Sequence, residues 1–208
     1  MIYKHLVKIP ILGSLLAITN AYVFNGDFAS DRKFAPLLMW AKLLPCIIFS
    51  IGLTVLTIFA PCIAIDNKFP QCGLGKDSFV SSGGALSTAI LPTILGFGIG
   101  VYALIFSLSK KFVRLFHEKS RMAQKDGRKI SVLTINADIA YPLISIVFSI
   151  LIGLIQQRFP TMLWLSALAW MSLWYSMLMT LEIIGTIYRL GEHSLLDKVD
   201  EDDDHSWS

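Results

Sequence analysis

The sequence has few charged residues, and this scarcity narrows the class of protein. Only 16% of the 208 residues are Asp, Glu, Lys or Arg, whereas 54% are hydrophobic. A soluble domain usually carries about a quarter charged residues, because its surface faces water. The composition therefore argues against a soluble enzyme domain and favours a chain that lies largely in lipid.

Residues that support metal or nucleophilic chemistry are also sparse. The three cysteines, Cys46, Cys62 and Cys72, show neither a CxxC spacing nor a Cys/His metal pattern, and the four histidines are scattered. No serine or cysteine lies in a context that predicts a catalytic set with a histidine and a carboxylate. We therefore predict a protein that is not an enzyme, with no cofactor and no metal site.

Long apolar segments dominate what is present. A run of roughly 18 or more apolar residues can cross a hydrocarbon core of about 30 Å as an α-helix. We predict an all-α membrane protein, a bundle of four transmembrane helices within residues 37–188. The predicted spans are residues 37–65, 86–109, 136–155 and 161–188. Only the short turn QQRFP separates the last two spans, which predicts an antiparallel helical hairpin.

The distribution of positive charge predicts the orientation of the spans. Residues 110–129 contain eight Lys or Arg residues and two acidic residues. Loops rich in Lys and Arg stay on the cytoplasmic side. With four spans, this rule places both the N-terminus and the C-terminus in the cytoplasm.

The first 36 residues leave three interpretations open. Residues 9–24 are apolar but shorter than the roughly 20 residues that a spanning helix needs. They form an interfacial or re-entrant helix, a fifth span, or a signal peptide. Cleavage of a signal peptide would conflict with a first span that begins inside. The length favours the interfacial or re-entrant helix, so residues 1–36 are predicted to be an N-terminal cytoplasmic or interfacial segment.

Three glycines in the second span, Gly96, Gly98 and Gly100, invite two interpretations. Their G-x-G-x-G spacing lacks the pattern and the strand–helix context of a dinucleotide site. Gly96 and Gly100 instead form a G-x-x-x-G motif, which predicts close helix packing within one chain or between chains. Gly98 is expected to lie away from that face. The alternative is that glycine is simply common in membrane helices.

Three ionisable residues lie near the predicted inner ends of the spans: Lys42, Asp138 and Glu182. A charge at membrane depth is costly and often has a function. We predict that Lys42 pairs with Asp138 or with Glu182 between helices. The alternative is that these residues mark helix ends and extend their charged groups into water.

Two features outside the spans suggest further contacts. Cys62 and Cys72 are candidates for a disulfide in an oxidising outer compartment, although their spacing does not determine connectivity. The predicted cytoplasmic tail, residues 189–208, contains an acidic block: Asp200, Glu201, Asp202, Asp203 and Asp204. Acidic blocks are often disordered interaction tails. We predict that this block docks on a cytoplasmic protein partner or on the chain's own basic loop, the alternative being a solvated end.

The small size, the four spans, the QQRFP hairpin and the charged inner-face segments resemble the membrane subunit of the bacterial Kiwa anti-phage defence system, whose partner is a cytosolic DNA-binding protein. The resemblance covers the architecture of the chain and transfers no individual residue. It implies a homo-oligomer in the bacterial inner membrane that senses phage at the cell envelope.

The predicted function is therefore that of a membrane sensor or anchor in antiviral defence. It would contact membrane lipids, assemble with its own copies and bind a cytoplasmic protein partner, without direct contact to nucleic acid. The basic loop needs no nucleic acid to explain it, because topology alone requires such charges. The alternatives are a pore-forming or permeability-altering effector and a small transporter or channel subunit.

Overall fold

The computed structural model describes residues 7, 9–26, 30, 33–65, 82–106 and 132–205, and the regular secondary structure of these residues is entirely helical. The helices are α1 (Leu12–Val23), α2 (Leu37–Trp40), α3 (Leu44–Ile65), α4 (Ser82–Phe106), α5 (Val132–Arg158) and α6 (Leu163–His205), with a 3₁₀ turn, Ala41–Leu43, between α2 and α3. The predicted all-α fold class is confirmed.

Four segments are long and apolar enough to cross a membrane: Leu37–Ile58, Gly83–Leu104, Ile135–Arg158 and Leu163–Arg189. They coincide with the four predicted spans apart from small differences at their ends. The prediction of a multi-pass membrane protein is therefore supported by both length and composition. Helix α1 is apolar but has 12 residues, or about 18 Å at 1.5 Å per residue. This is well below the length of a span, as expected for an interfacial or re-entrant helix.

Helix α6 occupies the centre of the bundle. It packs against α3, α4 and α5, whereas α4 and α5 also pack against each other and α1 lies on α5. Inside the bundle, 39% of the α6 span is buried. Only 11% of the span Leu37–Ile58, which includes most of α3, is buried. Helix α3 is therefore a peripheral element attached to α6. Two apolar clusters fill the interior. One consists of Leu91, Ile146, Trp170 and Leu173, and the other of Ile139, Leu143 and Ile183.

Small hydroxyl side chains line the contact between α5 and α6. The hydroxyl groups of Ser149 and Ser176 are 2.6 Å apart, and Ser149 also donates to the carbonyl oxygen of Ser172 at 2.8 Å. Lipid removes most of the hydrophobic driving force between helices, so their association depends on close packing and interhelical hydrogen bonds. The small serine side chains permit both close packing and hydrogen bonds between α5 and α6.

Gly84 and Gly153 allow the backbones of α4 and α5 to approach closely. A Cβ atom at Gly84 would lie 2.7 Å from the carbonyl oxygen of Gly153, and one at Gly153 would lie 3.0 Å from Cβ of Ser87. The Nε2 group of Gln157 then donates to the Gly84 carbonyl at 3.1 Å. A side chain at either glycine would therefore force the two backbones apart.

The prediction of a contact within the chain at Gly96 and Gly100 is wrong. A Cβ at either glycine would meet no atom of the described residues within 4 Å, and both glycines are exposed on the side of α4 that faces away from the bundle. Gly98, which was expected to lie away from the contact, is buried against Leu143 of α5. The reason is that α4 presents its Leu91 and Gly98 face to the other helices. A contact of Gly96 and Gly100 between chains stays a prediction.

Helix α6 continues through the acidic block, which differs from the expectation that such blocks are disordered. Its backbone is helical from Leu163 to His205. An existing helix can be extended without repeating the costly nucleation step, which helps a polar segment to remain helical. The block at residues 200–204 is thus the end of a spanning helix, although the structure does not describe its side chains.

Two further sequence predictions concern residues outside the described ranges. Cys72 and the basic loop at residues 110–129 lie outside the described residues. The backbone of Cys62 belongs to α3, but its side chain is not among those described. The disulfide and the orientation of the bundle therefore stay predictions.

Candidate functional site

The three ionisable residues singled out in the sequence lie at one end of the bundle, called here the ionic end. Lys42 lies in the 3₁₀ turn before α3, Asp138 lies in the second turn of α5, and Glu182 lies near the end of the α6 span. The helices alternate in direction, so the start of α3, the start of α5 and the end of the α6 span meet at the same level. Helix α1 joins them there.

Lys42 and Asp138 form the ion pair that was one of the two predicted alternatives. Lys42 Nζ lies 3.7 Å from Asp138 Oδ1, and the two side chains are 31% and 20% exposed. A partly buried pair is screened less by water than a surface pair. Removal of Lys42 would leave the Asp138 carboxylate partly buried without its ion-pair partner, which is costly.

Glu182 is held by a tyrosine rather than by Lys42. The Tyr22 hydroxyl lies 2.7 Å from each of the two carboxylate oxygens of Glu182 and donates its proton to this carboxylate. Tyr22 is only 2% exposed. Burial, followed by the hydrogen bond to Glu182, raises the pKa of the Tyr22 phenol above its ordinary value. The phenol therefore keeps its proton and remains a donor at neutral pH.

Lys42 also binds the turn at the end of α1. Its ammonium group donates to the Tyr22 carbonyl at 3.2 Å and to Asn25 Oδ1 at 2.8 Å, and it lies 3.9 Å from the centre of the Tyr22 ring. An ammonium has three N–H donors. The two oxygens accept two of these donors, the Asp138 carboxylate adds an ion pair at 3.7 Å, and the ring face adds a cation–π contact.

Aromatic contacts extend the ionic end across the bundle. The rings of Tyr22 and Tyr141 are stacked, with centroids 4.2 Å apart and an interplanar angle of 17°. The hydroxyl groups of Tyr141 and Tyr175 are hydrogen-bonded at 2.7 Å. Tyr22 of α1 is thereby connected through α5 to α6, the helix that also carries Glu182.

Asn20 shapes the segment that presents Tyr22. Its fully buried amide donates to the carbonyls of Ser30 and Lys33, each at 2.9 Å, and its Oδ1 accepts from the Ala35 amide at 2.9 Å. Positive φ angles at Asn25 (52°) and Gly26 (68°) reverse the chain after α1. Asparagine and glycine tolerate this backbone region better than other residues do. The side chain of Asn20 therefore closes the loop between α1 and α2.

Sequence reasoning missed the residues that complete this site, Tyr22 and Asn25. A weak signal existed, since polar residues interrupt the apolar N-terminal segment at Asn20, Tyr22 and Asn25. That pattern alone did not show that the segment docks on the ends of three other helices.

Comparisons with known proteins give no match. No family model fits the chain, and no curated protein or solved structure matches it. The resemblance to the Kiwa membrane subunit therefore stays a prediction. The function of this chain must be inferred from its own geometry.

The contacts of the ionic end link side chains from several helices. Each described charge already has a specific contact: the Lys42 ammonium with Asp138, and the Glu182 carboxylate with the Tyr22 hydroxyl. Among the described residues, no group of three His, Cys, Asp or Glu side chains could hold a metal ion. The ionic end connects α1, the start of α3, the start of α5 and the end of the α6 span.

Proposed function

We propose that this protein is a non-enzymatic, multi-pass protein of a bacterial inner membrane that serves as a sensor or anchor for a cytoplasmic protein partner. The observation that supports this function best is the continuity of α6. One helix of 43 residues contains a candidate span, Leu163–Arg189, and continues to His205. The same helix therefore carries Glu182 of the ionic end and the acidic block at residues 200–204.

The geometry of α6 suits it to carry a change out of the membrane. From Arg189 to His205 the helix rises about 24 Å at 1.5 Å per residue. Because its hydrogen bonds run between successive turns, a helix moves largely as a rod, and a tilt within the bundle displaces its far end. A change at Glu182 would thus alter the position of the acidic block.

The acidic block supplies the recognition chemistry in this proposal. Asp200, Glu201, Asp202, Asp203 and Asp204 concentrate negative charge over just over one helical turn. Such a segment attracts a basic surface, accelerates its association and repels nucleic acid. We therefore propose a basic cytoplasmic protein as the partner, with both termini of this chain in the cytoplasm.

Assembly and biological role are further parts of the same proposal. The open G-x-x-x-G face of α4 would form the contact between copies in a homo-oligomer. The resemblance to the Kiwa membrane subunit supports a role as the sensor of an anti-phage defence system.

The proposed function is tested by neutralising the acidic block. In the host bacterium, full-length tagged protein with Asn or Gln at residues 200–204 should no longer co-purify its cytoplasmic partner after cross-linking. The matched control keeps the charge by exchanging Asp for Glu and Glu for Asp at the same positions, and it should retain the partner. Equal recovery of the same partner by both variants would show that the block is not the docking element.

A further inference from the structure

The N-terminal segment lies on the ionic end as a strap, defined by its described residues 9–26, 30 and 33–36. Its contacts with the bundle converge on Tyr22, whose hydroxyl bonds Glu182 of α6 and whose ring stacks on Tyr141 of α5. The carbonyl of the same residue accepts from Lys42. One strap residue therefore holds three separate parts of the bundle.

The strap also makes an apolar contact with the bundle. Tyr22, Val23 and Ala35 of the strap form one buried cluster with Ala137 of α5, and partly buried side chains pack around it: Ala21, Phe24, Trp40, Leu43 and Tyr141. Ile11, just before α1, and Leu12, in its first turn, are exposed on the protein surface. The polar contacts of Tyr22 therefore add specific bonds to a local apolar contact.

The internal hydrogen bonds of the strap would allow it to detach from the bundle as one folded segment. Asn20 makes hydrogen bonds within the strap, to Ser30, Lys33 and Ala35, so this loop can leave the bundle without losing those hydrogen bonds. On the bundle side, Lys42 and Asp138 are already in part exposed. Water can replace the strap at these groups, which keeps the cost of undocking moderate.

Undocking would act directly on α6. Glu182, which is only partly buried, would lose the Tyr22 hydroxyl, and a carboxylate out of full contact with water is less favourable without its donor. A shift of α6 that brings Glu182 to water relieves this cost. The acidic block begins 18 residues beyond Glu182, or about 27 Å, so a tilt of about 10° displaces it by about 5 Å.

We propose that the strap is a releasable latch, fastened to the ionic end through Tyr22, and that its undocking frees the end of α6 that leads to the acidic block. The latch rests on the proposed function, since it gives that function its regulation. Its test needs no partner protein, so the latch and the partner docking can fail separately.

The first measurement reports whether the strap is docked. Ala137 is buried under the strap, so a cysteine there, in a background with the three native cysteines changed to alanine, should react slowly with a maleimide in proteoliposomes. Tyr22→Phe keeps the ring and removes the hydroxyl. It should raise the labelling rate about tenfold or more, since a hydrogen bond to a charged group changes an equilibrium constant by roughly that factor or more. Glu182→Gln should act in the same direction.

Two controls separate undocking from general loosening. Tyr188→Phe removes a hydroxyl from an exposed tyrosine of α6 and should leave the rate at Ala137→Cys unchanged. A cysteine at Ala169, fully buried far from the strap, should stay unreactive in the Tyr22→Phe protein. Rapid labelling at both cysteine positions would mean that the bundle itself has opened, and this would overturn the latch.

The second measurement reports whether α6 responds. Spin labels at Ala103→Cys on α4 and Gly191→Cys on α6, both exposed, give a distance across the same end of the bundle. The distance distribution should shift or broaden in Tyr22→Phe and stay unchanged in Tyr188→Phe. An unchanged labelling rate in both Tyr22→Phe and Glu182→Gln would refute the latch, and an unchanged distance despite faster labelling would refute its coupling to α6.

Discussion

A series of glycine-to-alanine substitutions tests the packing of α4 in detail, because the structure assigns each glycine a different surrounding. At Gly84 the added methyl group would lie 2.7 Å from the Gly153 carbonyl and would also collide with Gln156. The Gly153 carbonyl belongs to the backbone, so it cannot rotate away from the added methyl group as a side chain could. Helices α4 and α5 must separate, so Gly84→Ala should destabilise the bundle by about 1–3 kcal/mol, the usual cost of overpacking.

The other four substitutions should differ in how much they change the free energy of unfolding. Gly153→Ala meets Ser87 at 3.0 Å and the Gly84 carbonyl at 3.1 Å, so its cost should be smaller. Gly98→Ala meets only the end of the Leu143 side chain, which can change rotamer, and its cost should be smaller again. Gly96→Ala and Gly100→Ala meet no atom within 4 Å in the part of the chain that the structure describes. Alanine is favoured over glycine in a helix by up to about 1 kcal/mol, so these two should be neutral or stabilising for the monomer.

The measurement is reversible unfolding in detergent at a protein concentration low enough to keep the chain monomeric, followed by tryptophan fluorescence. The parent and the five single variants are compared under one condition, so only differences in the free energy of unfolding are used. If Gly84→Ala unfolds like the parent while Gly96→Ala or Gly100→Ala is clearly destabilised, the face assigned to α4 is wrong.

Three further predictions concern orientation, the ion pair and assembly. Cytoplasmic reporters should be active when fused after residues 110–129 and after the C-terminus, but silent when fused in the predicted outer loop. A silent C-terminal fusion would contradict an even number of spans. Lys42→Met and Asp138→Asn should be non-additive in detergent melting, with a coupling energy of about 0.5–3 kcal/mol, and strict additivity would reduce the pair to two independent helix-end charges. Gly96→Ile and Gly100→Ile should shift cross-linked species towards monomer with the monomer still folded, whereas unchanged assembly would leave the glycine motif without a role between chains.

The membrane-spanning architecture could be predicted from the sequence because its cause is local. Each span is a continuous apolar run, and a backbone in lipid must satisfy its hydrogen bonds within its own segment, which favours a helix. No knowledge of neighbouring segments was needed to place four spans or to recognise that residues 9–24 are too short for one. The scarcity of charge in apolar segments likewise singled out Lys42, Asp138 and Glu182.

The faces that the helices present to one another depended on the tertiary structure. The G-x-x-x-G spacing of Gly96 and Gly100 correctly describes two positions on one side of a helix, but it cannot say where the neighbouring helix lies. In the folded chain, Leu91 and Gly98 face the bundle, and the close contact between α4 and α5 occurs at Gly84 and Gly153.

The partners at the ionic end were also decided by the fold. Spacing allowed Lys42 to pair with either acidic residue; in the structure Lys42 pairs with Asp138, and Glu182 accepts from Tyr22. The hydroxyl and the carboxylate of that bond are 160 positions apart in the chain. Local pattern determines the helices, whereas contacts at such separation arise only when the helices have packed, because packing determines which buried polar groups must satisfy one another.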